Sequence, residues 1–257
     1  GDNISKAKVR RRIDRGMAFI PEDRYGFALV REMRVAENAA IKAYRRPEFS
    51  RGGIVNYKKL SKQAESFIEK FEIKTGGPHS LVQSMSGGNA QKLILARETE
   101  AKPDVILASY PVRGLDIKAT ESIHRILVDE KNRGAGVLLV SEDLDEIFQL
   151  CDRVAVMYAG DIVEIGTSDE VYYDPRHPYT WGLLKSMPKL SADSKEELIS
   201  IEGAPPDLFA PPKGCAFAAR CEYAMEVCRE HQPPFVDVGD NHCAACWLNM
   251  KDVPDEN

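Results

Sequence analysis

Short apolar runs and amphipathic helical segments alternate along the first two thirds of the chain, and this alternation constrains the fold more than any other feature. Apolar runs such as Met17–Ile20 are short enough for buried strands, whereas the longer segments between them carry apolar residues at helical spacing. Strands alternating with helices predict an α/β fold with a largely parallel sheet. The predicted strands are 17–20, 104–108 and 136–141, followed by a hairpin of 153–158 and 161–165; the predicted helices are 35–44, 57–71, 86–101, 117–133 and 144–151.

Charge and cysteine content divide the 257 residues into two modules. Residues 1–166 carry 27 Lys and Arg against 24 Asp and Glu, whereas residues 167–257 carry 8 against 16. Neither part has the strongly basic balance of a nucleic-acid-binding protein, so no nucleic-acid partner is predicted. Five of the six cysteines lie between Cys215 and Cys246. No apolar run approaches the roughly 18 residues of a spanning helix. We therefore predict two domains, residues 1–166 and residues 167–257.

A glycine-rich segment stands directly before one predicted helix. Ser86, Gly87 and Gly88 precede the apolar positions of the helix in the string Met-Ser-Gly-Gly-Asn-Ala-Gln-Lys. A helix N-terminus presents free N–H groups and the positive end of the helix dipole, and glycines let a phosphate approach the backbone. The segment is therefore a candidate phosphate site, although an ordinary glycine-rich cap has the same local sequence.

The order of motifs around this segment resembles the ATP-binding-cassette (ABC) transporter ATPases. Ser-Gly-Gly resembles their signature motif, and Pro-Val-Arg-Gly-Leu-Asp at 111–116 resembles the end of Walker B with the D-loop. Phe-Ile-Pro-Glu-Asp-Arg at 19–24, followed by Val-Ala-Glu-Asn at 35–38, resembles the Q-loop region of the second cassette in sugar and nucleoside importer ATPases. This resemblance covers residues 10–160 approximately.

The resemblance implies a shared nucleotide site. In that family two cassettes pack head to tail around two ATP molecules with Mg²⁺, each site combining the Walker A loop of one cassette with the signature of the other. By resemblance, Asp116 lies at the dimer interface in the D-loop, and Glu22 lies in the Q-loop region. The residues expected to bind a nucleotide held by a partner cassette are Ser86, Gly87, Gly88 and Gln91.

Departures from the family pattern fall on the catalytic positions. The 257 residues contain no G-x-x-x-x-G-K-[ST] phosphate loop. Ser109 and Tyr110 stand where the family has the Walker B Asp and Glu, Glu142 stands at the switch His and Glu22 at the Q-loop Gln. A serine is a poor Mg²⁺ ligand, and an un-ionised phenol is a poor general base. We therefore predict a truncated cassette of the P-loop NTPase type without its Walker A portion, inactive alone yet able to complete a partner's site.

The second module resembles a different group of importers. His-Pro-Tyr-Thr at 177–180, Glu-Gly-Ala-Pro-Pro at 202–206 and Cys-Ala-Phe-Ala-Ala-Arg-Cys at 215–221 follow one another in this order. The string resembles the C-terminal extension of oligopeptide and dipeptide importer ATPases over residues 167–250. His177 precedes a proline at a predicted helix start, so a capping or packing role is the favoured interpretation.

The cysteines of this module predict a metal site, but their spacing leaves its identity open. A reduced cytosolic compartment disfavours disulfides, and four thiolates brought together favour Zn²⁺ or an iron–sulfur cluster. The resemblance selects Cys215, Cys221, Cys228 and Cys246, which hold a [4Fe–4S] cluster in some relatives. Cys243 is an additional cysteine that either replaces Cys246 as a ligand or is a bystander. Unmetallated cysteines packed as small apolar residues remain the third alternative.

The sequence thus predicts an ATP-binding subunit of an ABC importer, or a fragment of one, peripheral on the cytoplasmic face of the membrane. Its expected partners are another cassette and integral permease subunits. The second module favours peptides as the solute, whereas the first favours sugars or nucleosides. A non-catalytic partner module with an iron–sulfur or zinc site is the alternative function.

Overall fold

The computed structural model describes residues 3–187 and 200–250 and divides the chain into two compact units, Gly1–Glu142 and Asp143–Asn257. The division lies earlier in the chain than residue 166, because the predicted hairpin joins the strands of the C-terminal unit rather than the first sheet. The assignment of residues 1–166 and 167–257 as functional domains stays a prediction. In the described part of the chain no helix is long and apolar enough to cross a membrane.

The first unit is built on a parallel sheet of three strands in the order β1-β4-β5. The strands of this unit are β1 (Met17–Ile20), β2 (Ser50–Arg51), β3 (Ile54–Val55), β4 (Val105–Ser109) and β5 (Gly136–Val140). Its helices are α1 (Val9–Asp14), α2 (Val35–Ala40), α3 (Tyr57–Lys70), α4 (Gly87–Thr99) and α5 (Ile117–Asn132), with a π-helical turn at Arg24–Ala28. The predicted α/β alternation is confirmed, and α2 ends four residues before its predicted end at Tyr44.

Within the described part of the first unit, helices cover only one face of this sheet. The register places Phe19 beside Leu107 and Leu107 beside Leu138, all on one face, whereas the alternate residues enter the core of the unit. Phe19 is 48% exposed and Leu138 is 58% exposed, and Val105 and Val140 on the same face are exposed as well. Parallel sheets are ordinarily buried on both faces. The bare face is therefore an unpartnered apolar surface.

The second unit is built on an antiparallel sheet in the order β6-β7-β9-β8. Ala159 and Gly160 both have positive φ, as a two-residue hairpin turn requires, so the predicted hairpin is confirmed. Its strands are β6 (Arg153–Tyr158), β7 (Asp161–Thr167), β8 (Val236–Asp237) and β9 (Cys243–Ala244), and its helices are α6 (Leu144–Leu150), α7 (Ser168–Tyr173), α8 (Pro178–Lys185) and α9 (Glu226–Glu230). Pairing of β7 with β9 brings the C-terminal cysteine segment onto the hairpin.

We expect the isolated chain to self-associate through the bare sheet face, because exposed contiguous apolar surface favours association. Leu138→Glu places a charge at the centre of that face and should lower the apparent mass in sedimentation velocity. Ile54→Glu is the matched control, because Ile54 is exposed in the separate two-stranded sheet of β2 and β3. A monodisperse wild-type monomer with a sharp, cooperative melt would contradict this prediction.

Candidate functional site

The N-terminus of α4 is formed and capped by the predicted signature residues. The Ser86 hydroxyl accepts a hydrogen bond from the Asn89 side-chain amide at 2.8 Å and faces the Asn89 backbone N–H at 3.5 Å. Asn89 is itself fixed, because its Oδ1 accepts from the backbone N–H of Lys74 at 2.7 Å. The helix continues for 13 residues, so its first turn combines free N–H groups with a full helix dipole. This terminus has the chemistry of an anion site.

A side chain at Gly87 and a side chain at Gly88 would have different consequences for packing. A Cβ on Gly88 would lie 2.8 Å from the Ala119 Cβ of α5, closer than real Cβ atoms approach, whereas one on Gly87 would make an ordinary 3.5 Å contact with Leu115. Ala119 is held in place because Asp116 caps α5 and accepts from the Ala119 N–H at 2.9 Å. Gly88 is therefore required by the packing of α4 on α5, independently of any ligand. The sequence predicted a phosphate site or an ordinary glycine-rich cap, and neither interpretation included this packing role of Gly88.

Gln91 lies in the core rather than at the surface of the helix terminus. Its side chain is 1% exposed, and its Oε1 accepts from the Nε of Arg24 at 2.9 Å. Its Nε2 has no hydrogen-bond partner among the described residues. Arg24 also donates through Nη2 to the backbone carbonyl of Arg113, and burial lowers the pKa of its guanidinium. Arg24, which was not singled out in the sequence, thus connects α4 to the segment that follows β4.

Three of the predicted catalytic positions meet around Arg113 at the carboxyl edge of the parallel sheet. The Arg113 guanidinium forms an ion pair with Glu22, lies 3.9 Å from the Glu142 carboxylate and is 5.6 Å from the centre of the Tyr110 ring. Tyr110 has a positive φ of 46° and donates its backbone N–H to Val140. These groups are largely exposed, so the ion pairs add little stability.

The composition of this edge matters for its chemistry. Ser109 is the last residue of β4 and carries no charge, and the carboxylates that reach the edge from Glu22 and Glu142 face a guanidinium. Hard divalent cations prefer several free carboxylate oxygens. An edge whose two carboxylates face a guanidinium is therefore a poor site for such a cation. Sequence reasoning located the edge but missed Arg113, whose signal was its position between the Walker B-like and D-loop-like residues.

Four cysteines of the second unit line one pocket. The pocket is bordered by Cys215, Cys221, Cys228 and Cys246, with His177, Pro178 and Trp247 among its other residues. Cys215 donates its backbone N–H to the Cys228 carbonyl at 2.8 Å, and a Cβ on Gly214 would collide with that carbonyl. Cys243 stands apart in β9, where its thiol donates to Asp237 at 3.0 Å. We call the cavity the thiol pocket.

The thiol pocket does not have the arrangement of a metal centre. Among the described residues no group of three or more His, Cys, Asp or Glu side chains is placed to hold a metal ion. Burial raises the pKa of Cys215 and Cys221, and that of Cys246 to about 11, so these thiols are neutral near pH 7. Among the described residues, these side chains are therefore not gathered into the predicted iron–sulfur or zinc site.

A buried carboxylate next to this pocket was missed by sequence reasoning. Glu164 in β7 is fully buried and accepts from the backbone N–H groups of Arg176 and His177, at 2.6 and 3.1 Å, and from the Thr180 hydroxyl. Its other contact is the Nε2 of His242 at 2.7 Å. A glutamate within the apolar run of a predicted strand, followed later in the chain by His177 and His242, was the available signal.

His177 has the predicted capping role. Its Nδ1 accepts from the backbone N–H of Tyr179 at 3.0 Å at the start of α8. The ring is buried, and burial lowers the pKa of His177 from 6.5 to about 4. The imidazole is consequently neutral at physiological pH, as an acceptor at a helix cap must be.

We expect Gly88→Ala to destabilise the first unit by about 1–3 kcal/mol, the usual cost of overpacking, whereas Gly87→Ala changes stability by less than about 1 kcal/mol because alanine favours helix. Thermal or urea unfolding followed by circular dichroism measures the difference. Ala119→Gly added to Gly88→Ala should recover part of the loss. Equal effects of the two single substitutions would contradict the assigned packing role.

The stability of the second unit should fall as the pH is lowered from 6.5 to about 4, because the unfolded chain protonates His177 while the folded chain excludes the proton. The expected slope from this residue is about 1.4 kcal/mol per pH unit. His177→Asn keeps a capping acceptor and should flatten the slope. His231→Asn, at an exposed histidine, is the control that should leave it unchanged. Urea unfolding followed by the fluorescence of Trp181 and Trp247 measures both variants.

Comparison with known proteins supports the resemblance in both parts of the chain. Residues 163–228 match the family described as oligopeptide/dipeptide transporter, C-terminal region. The oligopeptide transport ATP-binding protein OppD of Bacillus subtilis is 41% identical over 210 residues, covering 78% of this chain and 58% of that protein. The glucose import ATP-binding protein TsgD13 of Haloferax volcanii is 40% identical over 174 residues, covering 66% of this chain and 31% of that protein.

The fold is shared with a solved nucleotide-binding protein. The dimeric structure of a post-hydrolysis state of an ATP-binding cassette bound to ADP and Pi superposes with a TM-score of 0.51 at 21% identity, covering 62% of this chain and 66% of that one. The chain spans about three fifths of the length of the Bacillus subtilis relative. The chain is thus similar in sequence to ATP-binding proteins of oligopeptide, dipeptide, glucose and nucleoside importers, and its residues 163–228 match the oligopeptide/dipeptide transporter C-terminal region.

Proposed function

We propose that this chain is part of the ATP-binding subunit of an ABC importer that couples ATP binding and hydrolysis to the uptake of peptides. The observation that carries the proposal is the N-terminus of α4, where Ser86 caps an exposed helix end of 13 residues. Such an end binds a phosphate through free N–H groups. The proposed ligand is the terminal phosphate of a Mg²⁺–ATP molecule held by a partner cassette. Ser86, Gly87 and Gly88 contact it, with Asp116 at the interface between cassettes.

Turnover by this chain alone is not part of the proposal. The phosphoryl-transfer machinery of P-loop proteins needs a phosphate loop and an acidic Mg²⁺ ligand. The 257 residues contain no such loop motif, and Ser109 and Tyr110 replace the acidic pair. In the proposed mechanism the chain contributes hydrogen-bond donors and a positive helix end, whereas the partner cassette supplies the phosphate loop and metal ligands.

The bare face of the parallel sheet supports the proposal that this chain is one part of a cassette. Met17–Ile20, Val105–Ser109 and Gly136–Val140 form a sheet whose second face lacks a covering layer among the described residues. A parallel sheet of this kind gains stability when a further α/β layer buries that face. The proposed covering layer is the Walker A portion of a cassette, with its strand and helix.

The location and partners follow from the proposed role. A cassette that drives import docks on integral permease subunits at the cytoplasmic face of the membrane, so the chain is proposed to be a peripheral membrane protein there. Peptides are preferred over sugars or nucleosides because the oligopeptide/dipeptide C-terminal region is the more specific of the two resemblances.

One observation favours a second function, a non-catalytic partner module that signals through its cysteines. Cys215, Cys221, Cys228 and Cys246 share one pocket, although their arrangement does not fit a metal ion. Elemental analysis for iron and zinc in the purified protein distinguishes the alternatives. Stoichiometric metal would favour the module with an iron–sulfur or zinc site, whereas metal-free protein would leave the cysteines as packing residues.

Ser86→Asp tests the proposed nucleotide contact. Aspartate retains the helix cap and suits the dipole, so the fold should be kept, but its charge repels a phosphate. ATP hydrolysis is measured with an intact partner cassette, one that has its own phosphate loop, with and without this chain. We expect no turnover by the chain alone, stimulation in the mixture, and a loss of that stimulation by about 100-fold in Ser86→Asp, as for removal of a transition-state donor.

Ser84→Asp is the matched control for this experiment, because Ser84 is exposed two residues before the cap and bonds only the Leu81 carbonyl. It should retain the stimulation. Turnover by the chain alone, or full stimulation by the Ser86→Asp variant, would overturn the proposal.

A further inference from the structure

Two segments distant in sequence both contribute walls to the thiol pocket. The first is the turn segment, residues 174–180, which contributes His177 and Pro178 to the lining. The second is the C-terminal arm, residues 242–250, which contributes Cys246, Trp247 and Leu248. Access to the thiols therefore depends on the relative position of these two segments.

Both walls converge on the carboxylate of Glu164. On one side it accepts from the backbone N–H groups of Arg176 and His177 and from the hydroxyl of Thr180, all in the turn segment. On the other side its Oε1 lies 2.7 Å from the Nε2 of His242, the first residue of the C-terminal arm. Because Glu164 is fully buried, bulk water does not reach it to replace a lost donor.

The surroundings of the carboxylate leave little freedom for either wall. A Cβ on Gly166 would lie 3.1 Å from the His242 ring, so the ring packs directly on the backbone of β7. Asn249 of the arm donates its side-chain amide to the Arg176 carbonyl of the turn segment at 3.0 Å. A buried, hydrogen-bonded network of this kind favours one arrangement of its members.

We propose that Glu164 is a positioning residue that couples the turn segment to the C-terminal arm, so that the thiol pocket opens or closes as one unit. A disturbance of one wall is transmitted through the carboxylate to the other. The proposal concerns the second unit alone and does not depend on the proposed action on a nucleotide.

The two tryptophans of the chain report on the two walls separately. Trp181 follows the turn segment in α8 and donates its indole N–H to the Pro175 carbonyl, whereas Trp247 lies in the arm and donates to the His231 carbonyl. The single-tryptophan variants Trp247→Phe and Trp181→Phe, made in the full chain, isolate each signal. Acrylamide quenching of each tryptophan then measures the mobility of one wall.

Thr180→Val is the decisive substitution, because it removes one donor to Glu164 from the turn segment and leaves the arm untouched. We expect increased acrylamide quenching of Trp247 in the C-terminal arm as well as of Trp181 beside the turn segment. The alkylation of Cys246 by iodoacetamide, followed by mass spectrometry, should accelerate by about tenfold, the factor for weakening one hydrogen bond to a charged group. Glu164→Gln should produce the same two effects more strongly.

Glu202→Gln is the control, because it makes the same chemical change at an exposed position of the same unit. It should leave quenching and alkylation at wild-type values. If Thr180→Val increases the quenching of Trp181 alone, Glu164 only anchors the turn segment and the proposal is overturned. An unchanged alkylation rate of Cys246 would overturn it as well. The Thr180→Val result decides the matter even where Glu164→Gln fails to fold.

Discussion

The parallel pairing of β1, β4 and β5 is the constraint on which the first unit depends. Because all three strands run in the same direction, the residues that follow them meet at one edge of the sheet. Glu22, Tyr110 and Glu142 come from three separate places in the sequence and are collected there around Arg113. The same pairing orients α4 and α5, whose close contact at Gly88 and Ala119 fixes the start of α4.

In the second unit the buried carboxylate of Glu164 has a comparable organising role. Glu164 lies in the central part of the hairpin strand β7 and satisfies donors from the turn before α8 and from the start of the C-terminal arm. Burying a carboxylate is costly unless its oxygens are hydrogen-bonded, so these segments are arranged around it rather than independently. The C-terminal arm also carries Cys246 into the thiol pocket, where burial raises the pKa of its thiol to about 11.

Local sequence signals predicted most of the secondary structure, with ends displaced by four residues or fewer. The hairpin turn at Ala159 and Gly160 and the cap at His177 were predicted correctly because both depend on neighbouring residues only. The candidate site was predicted less completely. The resemblance placed Gln91 among the nucleotide contacts, but its side chain turns into the core to meet Arg24, a partner 67 residues away in the sequence. No local pattern carries such a contact.

The sequence by itself determined the class of fold, the position of α4 and its cap, and the similarity to importer ATP-binding proteins. Periodicity, capping and motif order are properties of neighbouring residues. Tertiary structure decided that the hairpin belongs with the C-terminal unit, that Arg113 faces Glu22 and Glu142, and that Glu164 joins two distant segments. These outcomes depend on strand pairing and on the need of buried polar groups for partners. Both act between residues that only the folded chain brings together.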